Sequence, residues 1–223
     1  MARHLGPEDE VALAADRARA VAMNPDSVSR ETWTRLDRLV ALLLERQRQM
    51  NLIAASTIPQ LWTRHVADSL QLLPLAPEAR LWADLGSGGG FPGLVIACAL
   101  AGVSGTAVHL VESTQKKAAF LTETAAALDL PAIVHPLRAE DFAAKNKIHF
   151  DAVTARALAP LTKLLGYAIP LLTTGAIGLF PKGQDVEAEL TEASKYWTMR
   201  AELVPSKTDP RGRIVVVRRV SKR

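Results

Sequence analysis

The run Asp84-Leu85-Gly86-Ser87-Gly88-Gly89-Gly90-Phe91-Pro92-Gly93 constrains this chain more than any other segment. Apolar Leu81-Trp82-Ala83 precede it, and Leu94-Val95-Ile96-Ala97-Cys98-Ala99-Leu100 follow. That order predicts a short buried strand, a glycine turn and a helix. Glycine lets the backbone turn tightly and lets a ligand approach with no Cβ in the way. Pro92 suits the first turn of the helix, where its missing N–H costs nothing. In an open α/β sheet such a loop sits at the carboxyl end of its strand, where nucleotide-like cofactors bind.

Two patterns overlap in the loop. Gly88, Gly90 and Gly93 satisfy G-x-G-x-x-G, the dinucleotide fingerprint. Asp84, Gly86, Gly88 and Gly90 form D-x-G-x-G-x-G, which resembles motif I of class I S-adenosylmethionine (SAM) methyltransferases. Charge favours the second. A dinucleotide sets a pyrophosphate dianion against the loop, and Asp84 would repel it. SAM carries an ammonium and a sulfonium instead, and Asp84 suits a cation.

The following segments supply further candidates. Thr106–Val111 reads as a second buried strand ending at Glu112, whose carboxylate can accept both hydroxyls of an adenosine ribose. That feature is shared by SAM and NAD. Ala132–His135 reads as a third strand, which places Arg138, Ala139 and Glu140 at its carboxyl end.

The chain has 223 residues, 48% hydrophobic and 22% charged, enough for one full core with an appendage. A single cysteine, Cys98, excludes an internal disulfide and points to a reducing, cytoplasmic setting. The amino-terminal residues Met1–Glu10 lack the apolar core of a signal peptide, and no apolar run is long enough to span a bilayer. No cluster has zinc-ligand spacing, so no metal is expected. Net charge is +4, and six cations with no acid fall in the last thirteen residues, Arg218 and Arg219 among them. These point to a polyanionic partner bound mainly through its phosphates. Aromatic residues are only 5%, too few for a base-stacking platform.

Residues 8–22, a helix capped at Ser29 with Trp33, Leu36, Val40, Leu43 and Leu44 on one face, and a helix over 58–73 should form an amino-terminal cap, residues 1–75. Residues 76–223 alternate strands and helices and close with two strands near 201–204 and 213–217. This predicts an α/β fold with a doubly wound sheet.

Three more segments, with Lys182-Gly183, carry a family resemblance: Asn51-Leu52-Ile53-Ala54, Arg64-His65-Val66-Ala67-Asp68-Ser69 and Asp151-Ala152-Val153-Thr154-Ala155-Arg156-Ala157. With motif I, they make the chain resemble the bacterial 16S rRNA guanine-N7 methyltransferases, the glucose-inhibited division protein B group. The resemblance runs from about Asn51 to Gly183. It implies a seven-stranded Rossmann-like class I methyltransferase sheet ending in an antiparallel hairpin. It implies SAM as cofactor, with Gly86, Phe91, Ala139, Glu140 and Arg156 as contacts. It also implies methylation of a guanine in the 530 loop of 16S rRNA, free or in an assembling small subunit, by a monomer. The sequence departs from the group in the middle of the glycine loop and at Thr154-Ala155.

What is missing narrows the chemistry. No cysteine is placed for a nucleophilic route to pyrimidine C5, and Thr154-Ala155-Arg156-Ala157 stands where amino-group methylases carry N-P-P-Y. Guanine N7 has a lone pair and no proton, so positioning suffices. His65, Arg156 and Lys182 are the positioning candidates. Arg64, Arg138, Lys182, Arg218 and Arg219 are candidates for RNA phosphates. Arg64 with Asp68, and His65 with Ser69, are i,i+4 neighbours if the segment is helical. A methyltransferase of small molecules or proteins, and a dehydrogenase-type nucleotide binder, remain as alternatives.

Overall fold

The computed structural model describes residues 6–24 and 28–223; half of the signal-peptide reading, residues 1–5, lies outside these. Seven strands form one sheet in the order β3-β2-β1-β4-β5-β7-β6. They are β1 (Leu81–Leu85), β2 (Ala107–Val111), β3 (Ala132–His135), β4 (Ala152–Thr154), β5 (Ile177–Lys182), β6 (Trp197–Pro205) and β7 (Arg213–Lys222). The first five are parallel, and β7 runs antiparallel to both β5 and β6. The strand order reverses at β1, which pairs with β2 on one side and β4 on the other. A crevice therefore opens beyond the carboxyl ends of β1 and β4. Its two edges carry Gly86 and Arg156.

The sheet is apolar on both faces because helices cover both. Alternate strand residues divide accordingly. Trp82, Val108, Leu110 and Ala152 join one core, while Ala83, Leu85, Val111 and Val153 join the other. Helix α1 (Pro7–Ala22) and helix α2 (Arg30–Gln47) belong to the first core, with α4 (Gly93–Leu100) and α5 (Gln115–Ala127). The Ser29 hydroxyl caps α2 by accepting the Thr32 N–H at 3.2 Å. Trp33, Leu36, Val40 and Leu43 are buried from its apolar face. Leu161, Leu164 and Leu165 of α7 (Leu161–Leu172) fill the second core with Phe180 and Val215. Helix α8 (Val186–Ser194) and helix α6 (Ala139–Lys145) complete that face; α6 is not anticipated from sequence.

The expected regular helix over 58–73 is corrected. The chain forms a 3-10 turn (Ala55–Gln60) containing Pro59, a π turn (Trp62–Ala67), one α turn, α3 (Asp68–Leu70), and a further 3-10 turn (Leu73–Leu75). The Asp68 N–H reaches the Thr63 carbonyl, five residues back. Thr63 is itself gripped by the wholly buried Asp16 of α1, whose carboxylate accepts its N–H at 3.0 Å and its hydroxyl at 2.8 Å. The closing hairpin is also longer than expected, with a bulge between Arg200 and Ala201. Among the described residues no helix is long and apolar enough to cross a membrane.

Candidate active site

The glycine loop turns through three left-handed residues: Gly86 at φ +74°, Gly88 at +55° and Gly90 at +94°. Gly86 has no room for a side chain, since a Cβ would lie 2.7 Å from Leu158 Cδ1. Gly88 differs. A Cβ there meets nothing closer than the Gly86 carbonyl oxygen at 3.8 Å, so its open side faces a cavity. Glu112 fixes the loop to the end of β2, accepting the Gly88 N–H at 2.9 Å and the Thr114 N–H at 2.7 Å.

Asp84 is placed differently from expectation. It is wholly buried and lines neither cavity, so direct contact with a cationic ligand is corrected. One carboxylate oxygen accepts the Gly93 N–H at 3.1 Å, tying β1 to the start of α4 beneath the loop. The other, Oδ1, has no hydrogen-bond partner among the described residues. Burial pushes its pKa up to about 6, against the pull of the Gly93 N–H and the Arg156 charge. Gly90 also lines neither cavity; a Cβ there would strike Leu94 at 2.4 Å.

Arg156, two residues past β4, is the hub of the site. Its guanidinium donates to the Arg64 carbonyl at 2.9 Å and to His65 Nδ1 at 2.6 Å, and lies 3.5 Å from Asp68 Oδ2. It also stands 5.4 Å over the Phe91 ring. The π turn makes this possible: the Asp68 N–H skips the Arg64 carbonyl, which turns to the guanidinium. The expected Arg64–Asp68 pair is therefore replaced by Arg156 between them. Ser69 does reach its neighbour, donating its hydroxyl to the His65 carbonyl at 2.6 Å.

The donor from Arg156 dictates the state of His65. With Nδ1 accepting, Nε2 carries the proton and donates to Thr57 Oγ1 at 2.8 Å, which donates onward to the Ala54 carbonyl at 2.7 Å. Burial, then the Arg156 and Arg64 charges, pull the His65 pKa down to about 3. His65 is expected to remain the neutral Nε2–H tautomer from pH 5 to 9. Long-range proton–nitrogen NMR checks this, and a His65 midpoint above about 5.5 would contradict the network.

Two cavities meet at Arg156. The larger, about 1020 Å³, is walled by the glycine loop, Phe91, the 57–71 segment and the β6–β7 turn. The smaller, about 430 Å³, is walled by Glu112, Arg138, Ala139 and Glu140. Gly86, Gly88, Arg156 and Leu158 border both. Of the expected cofactor contacts, Gly86, Gly88, Glu112, Ala139, Glu140 and Arg156 surround the smaller cavity, and Phe91 faces the larger.

The sequence model of the family described as rRNA small subunit methyltransferase G (GidB) matches residues 33–214. The chain belongs to this family. Ribosomal RNA small subunit methyltransferase G of Bradyrhizobium sp. (strain BTAi1) is 58% identical over 205 residues, 92% of this chain and 91% of its own length. The protein of that name from Caulobacter vibrioides is 56% identical over 187 residues, 84% of this chain and 85% of its own. The fold is similar to an O-methyltransferase from Bacillus cereus solved in complex with SAH (TM-score 0.60, 17% identity, 95% of this chain and 100% of that one). It is also similar to the O-methyltransferase TomG from Streptomyces achromogenes solved with SAM (TM-score 0.58, 14% identity, 92% and 97%). At these identities the structural likeness is one of fold. The sheet is thus the Rossmann-like sheet of SAM methyltransferases.

In this member of the methyltransferase G family, several cations differ from expectation. The Lys182 side chain is 9% exposed and its ammonium is spent on the Ala159 carbonyl and the Glu189 carboxylate, each at 2.8 Å. The same Glu189 oxygen accepts the Leu161 N–H at 2.6 Å. Lys182 therefore staples β5, α7 and α8 together on the wall of the larger cavity, its charge already paired with Glu189. Arg218 and Arg219 lie away from the carboxyl edge. Arg213 pairs with Lys182 at the carboxyl edge, and β7 then runs back past the first residue of β5. Six residues of strand carry Arg219 about 20 Å from that edge. Both arginines are exposed at the opposite rim of the sheet. Arg64 is exposed on the larger cavity and Arg138 on the smaller. Thr57 and Leu158 are not anticipated from sequence as site residues, and Asp68 only as part of the helical stripe. The R-H-x-x-D-S segment signalled Asp68; nothing local signalled the other two.

Proposed function

We propose that this protein transfers the methyl group of SAM to N7 of a guanine in the 530 loop of 16S rRNA, in the cytoplasm. The observation that carries the reading is the junction of two cavities at Gly86, Gly88 and Arg156, at the reversal point of a methyltransferase sheet. The residues present fit the cofactor. Gly88 leaves open the space that a side chain would fill, beside the Glu112 carboxylate that borders the smaller cavity. Gly86, Gly88, Glu112, Ala139, Glu140 and Arg156 would hold SAM, which supplies an electrophilic methyl on a sulfonium.

The chain's own task is orientation. Guanine N7 presents a lone pair and no proton, so no side chain must remove one. His65, held neutral and hydrogen-bonded at both nitrogens, positions Arg156 and moves no proton. Phe91, 5.0 Å from the His65 ring and facing the larger cavity, offers an apolar and π surface beside the acceptor base. The cap (1–75) and the sheet domain (76–223) work as one unit here, because His65 comes from the first and Arg156 from the second.

Nuclease digestion and mass spectrometry of 16S rRNA after incubation with protein and SAM test the assignment. A 7-methylguanine in the 530-loop fragment is the expected product. A methylated carbon or exocyclic amine, or an unmodified rRNA, overturns it. The single-turnover rate is expected to be nearly flat between about pH 6.5 and 8.5, since no essential group must lose a proton there. A tenfold rise per pH unit would reveal a required deprotonation.

A further inference from the structure

The larger cavity has a wall that the glycine loop and the Arg156 group do not explain. It is the turn between β6 and β7, Ser206 and residues 208–212, with Arg213 at its end; Lys207 stands exposed on the same turn outside the cavity lining. Hairpin tips of this length are usually free at the surface. This one is clamped to the cap. The Gln71 amide donates to Ser206 Oγ at 3.2 Å, and its carbonyl oxygen accepts the Lys207 N–H at 2.8 Å. Thr208 donates its hydroxyl to Asp68 Oδ1 at 2.7 Å, and Gln71 donates to the same oxygen at 2.7 Å. The other oxygen of Asp68 faces Arg156. A single carboxylate thus joins the turn to the hub of the site.

The charges on this wall are unevenly spent. Asp68 is engaged by Arg156, Thr208 and Gln71, and Glu189 by Lys182 and the Leu161 N–H. Asp209 accepts the Arg211 N–H at 2.9 Å, while the Arg211 guanidinium lies 4.0 Å away and is 73% exposed. Arg213 donates to the carbonyls of Pro210 and Gly212, at 3.0 and 2.8 Å, which hold its plane, and it makes no ion pair among the described residues. Lys207 and Arg64 are exposed and make no ion pair among the described residues. Three incompletely paired cations, Arg64, Arg211 and Arg213, therefore line the cavity together with the loosely paired Asp209, and Lys207 adds a fourth positive charge on the same turn.

Resting on the rRNA reading above, we propose that this turn is the phosphate-docking wall of the substrate site. Lys207, Arg211 and Arg213 take backbone phosphates flanking the target guanine. Asp68 and Gln71 are positioning residues that keep the turn in register with Arg156. Phosphate contacts fix orientation without reading sequence, and a turn ordered before binding loses little freedom when RNA docks. The basic run at Arg218 and Arg219, at the other rim, is not part of this wall.

Filter binding of the full chain to protein-free 16S rRNA across a salt series tests this, with methylation and SAM calorimetry in parallel. Lys207→Gln/Arg211→Gln/Arg213→Gln should weaken RNA binding at least tenfold and flatten the salt slope by about two, since each lost phosphate contact removes roughly 0.7 to 0.9 of slope. SAM affinity should stay within twofold. Thr208→Val keeps every charge but cuts the link to Asp68. It should raise the RNA KM several-fold with the salt slope unchanged. Arg218→Gln/Arg219→Gln should match wild type. A triple variant with wild-type RNA affinity and slope overturns the proposal, as does a loss confined to the Arg218/Arg219 variant. Wild-type protein that leaves N7 unmethylated removes the rRNA reading itself, and the docking wall with it. Wild-type methylation with unaffected turn variants removes only the wall.

Discussion

Arg156→Ala is expected to lower kcat/KM for rRNA by about 100-fold or more, a loss near 2.7 kcal/mol of transition-state stabilisation. The guanidinium serves the Arg64 carbonyl, His65 Nδ1 and Asp68 at once, and covers the Phe91 ring. Its removal leaves two part-buried acceptors and one exposed acceptor without a donor, which costs about 1 kcal/mol of stability and so a Tm a few degrees lower. At 25 °C the fold should survive and the positioning should not. Arg156→Lys should rescue little, because a point charge cannot feed acceptors on separate sides as a planar fork does. Single-turnover rates for the three proteins decide the matter. An alanine variant within fivefold of wild type, or full rescue by lysine, would show that the network is only structural.

Gly88→Asn is expected to weaken SAM binding by about 100-fold while leaving the folded state intact, as overfilling a shaped site costs a few kcal/mol. Asparagine tolerates the φ of +55° there, and the space beyond a Cβ is open. The new side chain therefore enters the cavity rather than the core. Gly93→Ala is the contrasting control. Its Cβ would lie 2.2 Å from Leu110 Cδ2 and 2.6 Å from Asp84 Oδ2, inside the packing of β1, β2 and α4. That variant should lose stability first and binding as a consequence. Calorimetry with SAM and thermal unfolding separate the two. Unchanged SAM affinity in Gly88→Asn would mean that the cofactor sits elsewhere.

Much of this arrangement is written locally. The glycine loop, the acid at the end of the second strand and the alternation of strand and helix each occupy one short window. They lead directly to the sheet and to the placing of Gly86 and Glu112 at its carboxyl edge; Arg156 rests on the family resemblance. The failures share a cause, which is that the deciding partner lies far along the chain or in depth. Lys182 reads as a free cation because the Ala159 carbonyl that takes its ammonium lies 23 residues back and Glu189 projects from a separate element, α8. Asp84 reads as a ligand because spacing reports that a residue lies near a strand's carboxyl end, not how deep it lies. The final strand seems to stop at Val217, yet pairing with Trp197–Arg200 carries it to Lys222 and moves the tail arginines to the far rim. Residues 58–73 have helical composition, and a 3.6-residue period cannot register a turn that closes on the fifth residue.

That wide turn has a consequence for how the family's motif should be understood. R-H-x-x-D-S looks like a list of chemical groups, but at Trp62–Ala67 it works as a spacer of fixed length. Asp16 clamps Thr63 at one end, and Thr208 clamps Asp68 at the other. Between the two clamps the number of residues sets whether the Arg64 carbonyl points at Arg156 or closes an ordinary helical turn. Conservative exchanges of Val66 or Ala67 leave that number alone. Losing either one would rotate Asp68 about 100° around the axis and uncouple both clamps, with every reactive side chain still present.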